Sequence, residues 1–575
     1  MPYHIRKAAV IGSGTMGGGI AALLAGVGIE TILLDIPAPE TTPDSPFAQR
    51  NAIALNGLKQ MQAARPAQLF HADDLNLITV GNIEDDLPRV REVDWVIEVV
   101  VEKLDVKQNL MAKLAHLLGP TTILSTNTSG LPIAQIAEPL AEDQKRRFLG
   151  THFFNPPRYL HLLELIPHKD TDPAVLHFMA EFATSRLGKG VVRCKDTPNF
   201  IGNRFMSMLG MQAMNYALDH GLTVEEVDAL TGPLIGRPKT ATFNLNDLVG
   251  FDVAVYVARN LYDAIPDDPA REVLHHPKAI ELSQKLLDKN WLGRKTGQGF
   301  YHLRRKDDGS RELWALNLET LDYEPPTAPR FESVGQYRKV EPLGERIRLL
   351  MHADDRAAQF LWHHHAFYLA YASRRVPEIT ESIVNIDRAQ TWGFSHEMGP
   401  FEIWDAIGVE ETIPQFEAAG YPVAEWVKEM VAGGNPTFYR REENGLVSGY
   451  YSPAVKRYVA LEKDPRVLTV EDLRARGKEI ARNGSASIFD LGDGVALWEF
   501  HSKQNTIDDD LIQIGHQAVE MLHHDQFDAL VVGNDGERFS IGFNLFLAMM
   551  AIQSGQLDQL EAKLDTLQNL ANALR

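Results

Sequence analysis

Short apolar runs alternate with glycine-rich turns and helix-like segments in the first part of the chain. The run KAAVI, from Lys7 to Ile11, is typical of a strand buried in a parallel sheet. An apolar helix follows through Ile20–Leu24 and stops at Gly26 or Gly28, and a second apolar strand runs over Thr31–Leu34. This strand–helix–strand order predicts a βαβ unit within an α/β fold.

The pattern then becomes helical and is repeated. The motif F-x-x-x-D-x-x-G begins at Phe243 and again at Phe401, each time at the end of a helix-rich segment. Between the two copies lie a polar stretch and a proline-rich stretch, which predict a linker. Further on, the strand-like runs VALWEF and ALVVGN flank a helical segment and indicate another α/β region.

These changes of pattern predict the domain order. We expect an α/β domain over residues 1–190, a helical domain over 191–303 and a linker over 304–343. A second helical domain should span 344–455, and a partial α/β segment should span 486–575. The fold class is therefore α/β at the N-terminus, mostly α-helical in the middle and α/β again at the end.

Composition and charge narrow the possible functions of the 575 residues. A net charge of −20 gives no electrostatic footprint for nucleic acid, and no apolar run reaches the length of a transmembrane helix. The chain has one cysteine, Cys194, which we interpret as a buried thiol in preference to a nucleophile. A reducing, cytoplasmic location is expected.

The turn after the first strand has the sequence GSGTMG and the spacing G-x-G-x-x-G. Gly12 permits the tight turn, Gly14 allows the backbone to approach a pyrophosphate, and Gly17 allows the helix to pack closely on the strand. The N-terminus of the helix offers amide groups and a positive dipole end to the phosphates. The turn thus predicts a Rossmann-type dinucleotide site.

Asp35 follows the second strand, 18 residues after Gly17. A carboxylate at this place accepts hydrogen bonds from the adenosine ribose hydroxyls and repels a 2′-phosphate. No arginine follows directly to offset that repulsion. Asp35 therefore favours NAD over NADP.

Five segments together resemble the 3-hydroxyacyl-CoA dehydrogenase family. They are DWVIEVVVEKL (94–104), LSTNTSGL (124–131), GTHFFNPPRYLHLLELI (150–166), CKDTPNFIGNRF (194–205) and GRKTGQGFYHL (293–303). They cover about the first 300 residues in the family's order and spacing. The family's activity implies NAD-dependent oxidation of (S)-3-hydroxyacyl-CoA to 3-ketoacyl-CoA in fatty acid β-oxidation.

The resemblance also implies a catalytic set. His152 falls on the position of the family's catalytic base. Histidine suits this role because it can remove and return a proton near neutral pH. Glu164 falls on the glutamate that orients this histidine, and its apolar neighbours argue against a surface charge. Ser129 and Asn203 would hydrogen-bond the substrate's C3 oxygen and thioester region.

Further positions are implied to contact NAD or CoA. Glu102 falls on a cofactor-contacting position, with Glu98 less secure, and Asn127 is either a nicotinamide contact or a turn residue. Asn155 would position His152 or the nicotinamide, and Lys59 and Lys107 are candidates for the CoA phosphates, although lysines more often lie free on the surface. The implied cofactor set is Gly12, Gly14, Thr15, Met16, Gly17, Asp35, Glu102, Asn127 and Asn155.

The helical repeat resembles the tandem domains of long multifunctional members of the family. Two copies can pack on each other and replace the dimer contact of short enzymes, so a monomer or a homodimer is expected, with a possible thiolase partner. An offset of 160 residues places His363 opposite Asn203, which predicts a structural second copy. The neighbouring residues His363, His364 and His365 point in different directions on a helix, so we expect no metal there.

The segment GERFSIGFNL, at 536–545, resembles an oxyanion-hole loop of the crotonase (enoyl-CoA hydratase) fold, with Asn544 where aspartate is frequent. The remaining length to Arg575 is about half of what that fold needs. We expect a truncated crotonase-like segment with exposed sheet edges, disordered or unusually packed, and without hydratase activity.

Two other functions remain open on the sequence. The chain could be a dehydrogenase for a 3-hydroxy acid without CoA, or a non-catalytic CoA-binding scaffold of a β-oxidation assembly. Retention of the whole catalytic set disfavours the scaffold. Acyl chain length, physiological direction and oligomeric state are open.

Overall fold

The computed structural model describes residues 3–306, 308–464, 466–536 and 538–574. The chain forms two compact units, which are Met1–Phe438 with Tyr451–Arg457, and Tyr439–Tyr450 with Tyr458–Arg575. No helix in the described ranges combines the length and apolar character that crossing a bilayer requires.

The strands begin and end as follows: β1 Lys7–Ile11, β2 Glu30–Asp35, β3 Ile78–Asn82, β4 Trp95–Glu98, β5 Ile123–Thr126, β6 Phe148–Phe153, β7 Leu162–Pro167, β8 Gly190–Arg193, β9 Tyr301–Arg305, β10 Arg311–Leu316, β11 Tyr323–Glu324, β12 Tyr439–Arg441, β13 Val447–Ser452, β14 Arg457–Ala460, β15 Glu479–Arg482, β16 Ala486–Gly492, β17 Val495–Phe500 and β18 Ala529–Gly533.

The helices of the first unit are α1 Thr15–Gly26, α2 Phe47–Arg50, α3 Ala52–Ala63, α4 Leu104–Ala115, α5 Ile133–Ile136, α6 Glu142–Lys145, α7 Pro173–Ser185, α8 Gly202–His220, α9 Val224–Thr231, α10 Phe243–Val249, α11 Phe251–Ala264, α12 Pro277–Asp288, α13 Glu332–Tyr337, α14 Leu343–Met351, α15 Arg356–Arg374, α16 Ile383–Phe394, α17 Pro400–Ile407, α18 Val409–Ala418 and α19 Glu425–Ala432. Those of the second unit are α20 Val470–Ala475, α21 Asp509–His523, α22 Leu545–Gln553 and α23 Leu557–Ala573.

The N-terminal sheet has eight strands in the order β3-β2-β1-β4-β5-β6-β7-β8. The neighbours from β3 to β6 are parallel, β7 is antiparallel to β6, and β8 is parallel to β7. Ala8 to Ile11 in β1 are fully buried, as the apolar run predicts. The predicted Rossmann-type fold is confirmed, and the order reverses between β1 and β4, where such sheets bind ligands.

The helical repeat is visible in matching helix ends. Gly250 after α10 has φ of 104°, and Gly408 after α17 has φ of 100°, values that favour glycine. Asp247 in α10 accepts the N–H of Phe300 at 2.8 Å, and Asp405 in α17 accepts that of Phe438 at 2.6 Å. Each motif thus ties its helix to a following aromatic residue in the same way.

The two copies pack through their long helices α8 and α15. The ring of Phe205 lies 5.4 Å from that of Tyr371, measured between centroids. The guanidinium of Arg204 is fully buried and donates to the Tyr371 hydroxyl at 2.8 Å and to Asp268 at 3.1 Å. Such a buried, paired cation fixes how the helices meet.

The sequence match of Asn203 with His363 is wrong. Helices α8 and α15 are both 19 residues long, and Asn203 and Ala357 are each the second residue of their helix. His363 lies two turns farther on and bonds the Tyr421 hydroxyl through Nδ1 at 2.9 Å. The connection from α15 to α16 is longer than that from α8 to α9, so the residue offset between the two copies differs on the two sides of this connection. The second copy still lacks the asparagine.

The segment 304–343, predicted to be a linker, contains regular structure. Residues Arg311–Leu316 form β10, which pairs antiparallel with β9 and β11, and α13 follows. Along β10, exposed and less exposed residues alternate from Arg311 to Trp314, and Ala315 is buried. This alternation is too short to indicate a strand among the neighbouring polar and proline-rich residues. Asp307 lies outside the described residues.

The second unit contains a sheet in the order β15-β16-β17-β18, with β17 and β18 parallel and joined by α21. Its core includes Ile488, Trp498 and Ile512. Strand β18 is at the edge, where Val531 is 45% exposed, and α22 exposes Phe546 by 68%. The segment is therefore folded around a core but leaves an edge and apolar side chains uncovered. Glu537, within GERFSIGFNL, lies outside the described residues.

Candidate active site

Three glycines shape the turn between β1 and α1. Gly12 has φ of 109°, and a Cβ there would lie 2.4 Å from the carbonyl oxygen of Val99. A Cβ on Gly17 would lie 1.8 Å from the carbonyl oxygen of Gly12, so α1 packs directly on the turn. A Cβ on Gly14 would meet nothing within 4 Å. The exposed Gly14 backbone therefore faces open space at the N-terminus of α1, as a phosphate-binding turn requires.

Asp35 lies beside this turn. Its Oδ2 accepts the N–H and the hydroxyl of Ser13, both at 2.6 Å, and its Oδ1 accepts the N–H of Ile36 at 2.8 Å. The carboxylate is half-buried and fixed at the end of β2. Ser13 was missed in the sequence because nothing marks its hydroxyl as the partner of an acid 22 residues away.

The imidazole of His152 and the carboxylate of Glu164 are paired. The two residues face each other across antiparallel strands β6 and β7, and Nδ1 lies 2.7 Å from Oε2. His152 is 4% exposed and Glu164 is fully buried. Nε2 of His152 has no hydrogen-bond partner among the described residues. The pair leaves one ring nitrogen available for a substrate.

The other oxygen of Glu164 is held by the start of α8. Oε1 accepts the N–H groups of Ile201 at 3.1 Å and Gly202 at 2.8 Å. Burial, followed by the charge of Glu164, raises the pKa of the neighbouring Cys194 thiol, so this cysteine stays protonated. It is buried, in agreement with the sequence interpretation. The two amides at the start of α8 thus hold the second carboxylate oxygen of Glu164 in place.

Ser129 and Asn203 stand at the two elements that flank the pair. Ser129 is exposed on the turn after β5, and Asn203 is half-buried in the first turn of α8. Neither side chain makes a hydrogen bond within the described chain. A Cβ on Gly130 would lie 2.2 Å from Oδ1 of Asn199, so the Ser129 turn touches the segment that leads into α8. The fold thus brings both predicted residues to one region with unused polar groups.

Asn199 was not predicted. It has φ of 60° and is buried, and its Nδ2 has no partner among the described residues. Asparagine tolerates this left-handed conformation better than most residues. A buried amide without a partner is costly, so Asn199 adds a possible donor beside Ser129.

Glu102 holds the Ser129 turn from below. Its Oε1 accepts the Thr128 hydroxyl at 2.6 Å and the N–H of Ser129 at 2.8 Å, and Lys107 lies 3.2 Å from Oε2. Burial alone raises the pKa of Glu102, but the charge of Lys107 and the hydrogen bonds outweigh it and lower the pKa. The sequence predicts a cofactor contact for Glu102 and does not indicate its hydrogen bonds to the Ser129 turn.

Lys107 does not reach a CoA phosphate, so that suggestion is wrong. Its side chain is 1% exposed, and Nζ lies 2.7 Å from Oε1 of the fully buried Glu98. Glu98 also accepts the Thr126 hydroxyl at 2.6 Å and the N–H of Val100 at 2.7 Å. The amphipathic position of a lysine on α4 gave no sign of an acid nine residues upstream.

Asn127 links β4, β5 and β6. Its N–H donates to the carbonyl of Glu98 at 2.8 Å, and its Oδ1 accepts the N–H of Phe153 at 2.9 Å. Asn127 therefore positions the residue next to His152, and a nicotinamide contact remains a proposal.

Asn155 and Lys59 are both exposed, Asn155 after β6 and Lys59 on α3. The turn that carries Asn155 is held by Lys189, whose Nζ donates to the carbonyl oxygens of Pro157 and of Leu160, the latter at 2.7 Å. Burial lowers the pKa of Lys189 to about 8. Lys189 was missed because its partners are backbone groups.

In the described ranges no group of three or more potential metal-ligating side chains is found. The three adjacent histidines have separate partners: His364 bonds Gln212 at 2.7 Å and His365 bonds the carbonyl of Leu361 at 2.8 Å. The site is thus built from one histidine–glutamate pair, a set of amides and hydroxyls, and a glycine turn.

Comparison with known proteins matches two regions of the chain. Residues 7–197 match the family described as 3-hydroxyacyl-CoA dehydrogenase, NAD binding domain. Residues 200–303 match 3-hydroxyacyl-CoA dehydrogenase, C-terminal domain. These regions contain every side chain of the candidate site except Asn199, which lies between them.

Relatives extend the similarity beyond these regions. The chain is 42% identical over 561 residues to a "Probable 3-hydroxyacyl-CoA dehydrogenase" of Bacillus subtilis (strain 168), covering 96% of this chain and 69% of that protein. It is 29% identical over 564 residues to a protein of Rickettsia felis named as a fatty acid oxidation complex trifunctional enzyme, covering 98% and 72%. A crystal structure of 3-hydroxybutyryl-CoA dehydrogenase from Escherichia coli K12 has a TM-score of 0.55 at 23% identity, covering 75% of this chain and 99% of that one, and supports the fold.

Proposed function

Because the chain belongs to the 3-hydroxyacyl-CoA dehydrogenase family, whose members are NAD-dependent oxidoreductases, we propose that it oxidises (S)-3-hydroxyacyl-CoA to 3-ketoacyl-CoA. The observation that carries this proposal is the buried pair of His152 and Glu164, with Nε2 of the histidine unpaired. Oxidation of a secondary alcohol needs a base at its hydroxyl, and this pair supplies one.

The proton chemistry follows from the tautomer. Glu164 accepts two backbone N–H groups on Oε1, so its Oε2 is the acceptor for a proton on Nδ1 of His152. Nδ1 then donates, and Nε2 carries the lone pair that takes the 3-hydroxyl proton. The resulting imidazolium is stabilised by the carboxylate behind it, and the reverse transfer serves reduction.

The residues at the glycine turn fit NAD. The open backbone at Gly14, the exposed Thr15 and half-buried Met16 at the start of α1, and the fixed carboxylate of Asp35 would hold its pyrophosphate and ribose. When bound, NAD supplies the acceptor for the hydride that leaves C3 of the substrate. Asp35 orients the ribose and disfavours a 2′-phosphate.

Ser129 and Asn203 would hydrogen-bond the C3 oxygen of the substrate. Neither side chain has a partner among the described residues. Ser129 lies on a turn that Glu102 holds, and Asn203 follows Gly202, whose N–H donates to Glu164. Their hydrogen bonds would hold the C3 oxygen as it becomes a carbonyl. Lys59, which is exposed on α3 and has no partner among the described residues, would bind a CoA phosphate.

The wider setting is part of the same proposal. The activity belongs to fatty acid β-oxidation in the cytoplasm, in line with relatives named for fatty acid oxidation. The second helical copy is structural and takes the place of the dimer contact of short enzymes. The protein is therefore a monomer or a homodimer, and it can associate with a thiolase.

Substrate selection is tested by following NADH absorbance with acetoacetyl-CoA and, separately, with free acetoacetate. The proposal expects rapid oxidation of NADH with the CoA ester and at least tenfold lower kcat/KM with the free acid, because the acid lacks CoA contacts. Equal rates would indicate a dehydrogenase of 3-hydroxy acids without CoA. No oxidation with either compound would indicate a scaffold.

A further inference from the structure

A cavity of about 440 Å³ lies between the two helical copies, away from the candidate active site. Its walls come from α8, from the turn 269–273, from α15 and from the turn 420–422, all within the first unit. This volume falls within the range of small-molecule pockets. The catalytic proposal makes no use of it.

Arg374 of α15 lines the cavity and lacks a counter-ion. Its Nε is buried without a hydrogen-bond partner, its guanidinium lies 6.0 Å from the centre of the Tyr371 ring, and it forms no salt bridge among the described residues. The next residue, Arg375, takes both nearby acids, with Asp268 at 2.8 Å and Glu378 at 2.5 Å. Arg374 is therefore a cation left over from an otherwise paired cluster.

The pKa of Arg374 agrees with this geometry. Burial lowers it most, and the charge of Arg375 lowers it further, whereas Asp268, Tyr371 and Glu378 raise it by less. A guanidinium nevertheless stays charged at neutral pH. It presents a planar set of donors that matches a carboxylate in two parallel hydrogen bonds.

Asn215 of α8 adds an unused acceptor. Its Nδ2 donates to the carbonyl of Val273 at 2.8 Å, whereas its Oδ1 is buried and has no partner among the described residues. The side chain is only 9% exposed and lines the cavity. Native structures seldom leave such a group unpaired, so a donor from a ligand is expected there.

Most of the remaining lining is apolar or hydrogen-bonded, and it also includes Tyr216 and His220. Phe367, Ala370 and Tyr421 provide apolar wall, and the Tyr421 hydroxyl is engaged with His363. Asp219 and Glu272 are 41% and 65% exposed, Asp219 lies 2.8 Å from Lys278, and Glu272 lies 3.5 Å from Arg271. These two acids stand where they would repel a dianionic phosphate more than a single carboxylate.

We propose that this cavity binds an amphipathic monocarboxylate that carries a hydroxyl group. The carboxylate would pair with Arg374, the hydroxyl would donate to Oδ1 of Asn215, and the hydrocarbon would lie along Phe367 and Ala370. The proposal does not depend on the dehydrogenase reaction.

The test is calorimetric titration of the full chain with 3-hydroxyoctanoate in the presence of NAD and acetoacetyl-CoA. Both of these are oxidised, so they can occupy the catalytic site without turnover. We expect saturable binding of 3-hydroxyoctanoate. Octanoate should bind more weakly because it leaves Asn215 unpaired, and octylamine and phosphate should not bind. No saturation up to about 10 mM, or equal binding of octylamine, overturns the proposal.

Variants identify the site. Arg374→Met keeps the aliphatic stem and should lower the affinity for 3-hydroxyoctanoate at least tenfold. Ala370→Phe should fill the cavity and lower that affinity by at least as much. Arg89→Met removes an exposed guanidinium bonded to Thr79 in the Rossmann domain and should leave binding unchanged. Thermal denaturation checks that each variant is folded. Affinity that is unchanged in a folded Arg374→Met or Ala370→Phe variant contradicts the site.

Discussion

His152 and Glu164 face each other directly across the antiparallel strands β6 and β7, so sheet register sets their 2.7 Å contact. A one-residue slip of β7 would turn Glu164 to the opposite face of the sheet, away from His152. The start of α8 then fixes the far oxygen of the glutamate through two amides. Sheet and helix together fix the pair and leave Nε2 of the histidine without a partner among the described residues.

Replacing Glu164 by glutamine should lower kcat by roughly 10² to 10⁴. Its amide oxygen can keep the N–H bonds of Ile201 and Gly202, and the amide nitrogen then donates to Nδ1. That hydrogen bond forces the proton onto Nε2, which can no longer act as the base. Steady-state assays with acetoacetyl-CoA and NADH measure the loss. A kcat within about threefold of the parent would show that orientation by Glu164 is unimportant.

Lys107→Met should destabilise the fold by about 3 to 5 kcal/mol, because it leaves the buried Glu98 without its cation. The double variant with Glu98→Gln should recover part of the loss. Urea unfolding measures both changes. Lys103→Met, at the exposed residue that directly precedes α4, should stay within about 0.5 kcal/mol. Equal effects of the two lysine changes would contradict the buried pair.

The loss in Lys107→Met should also depend on pH. The pKa of Glu102 lies below its ordinary value of 4.5 in the folded protein, so its stabilising contribution is present above that value. The contribution disappears as the pH falls through the lower folded value. The parent and Lys107→Met should therefore differ more in unfolding free energy at pH 7 than at acid pH. A constant difference would exclude this linkage.

Asp35→Asn should reduce discrimination against NADP by about tenfold or more, equivalent to about 1.4 kcal/mol. The amide removes the charge that repels a 2′-phosphate and keeps an oxygen for Ser13. The ratio of kcat/KM for NADH and NADPH is the measurement. Ser13→Ala is the matched control, since it loosens Asp35 without removing its charge. An unchanged ratio in Asp35→Asn would refute the assignment.

Asn203→Ala should lower kcat/KM by roughly 10² to 10³, as expected when one donor to a developing oxyanion is lost. His363→Ala should leave turnover unchanged, because that ring is engaged with Tyr421 in the second copy. Both variants are assayed with acetoacetyl-CoA and compared in thermal stability. A large loss of turnover in a stable His363→Ala variant would make the second copy part of the active site.

The N-terminal Rossmann-type fold and the contact of His152 with Glu164 follow from local sequence signals. The glycine spacing, Asp35 after a strand and the apolar neighbours of Glu164 all depend on short segments whose physical demands are strict. What escaped prediction depends on long-range contacts. Lys107 looked like a surface lysine until β4 placed Glu98 beside it, and Glu102 holds a turn 26 residues away.

The second copy shows the same limit. Its motif at Phe401 aligned correctly with that at Phe243, and both helices end on a glycine with positive φ. The match of Asn203 with His363 failed because a connection of different length lies between the aligned motif and the long helix. A residue offset transfers only across segments of equal length.

The most direct test of the account is the turnover of His152→Ala and His152→Gln with acetoacetyl-CoA and NADH. The account predicts a fall in kcat of roughly 10² to 10⁴, with NADH affinity and thermal stability close to those of the parent. Turnover within about threefold of the parent in a folded variant that binds NADH would show that His152 is not the base.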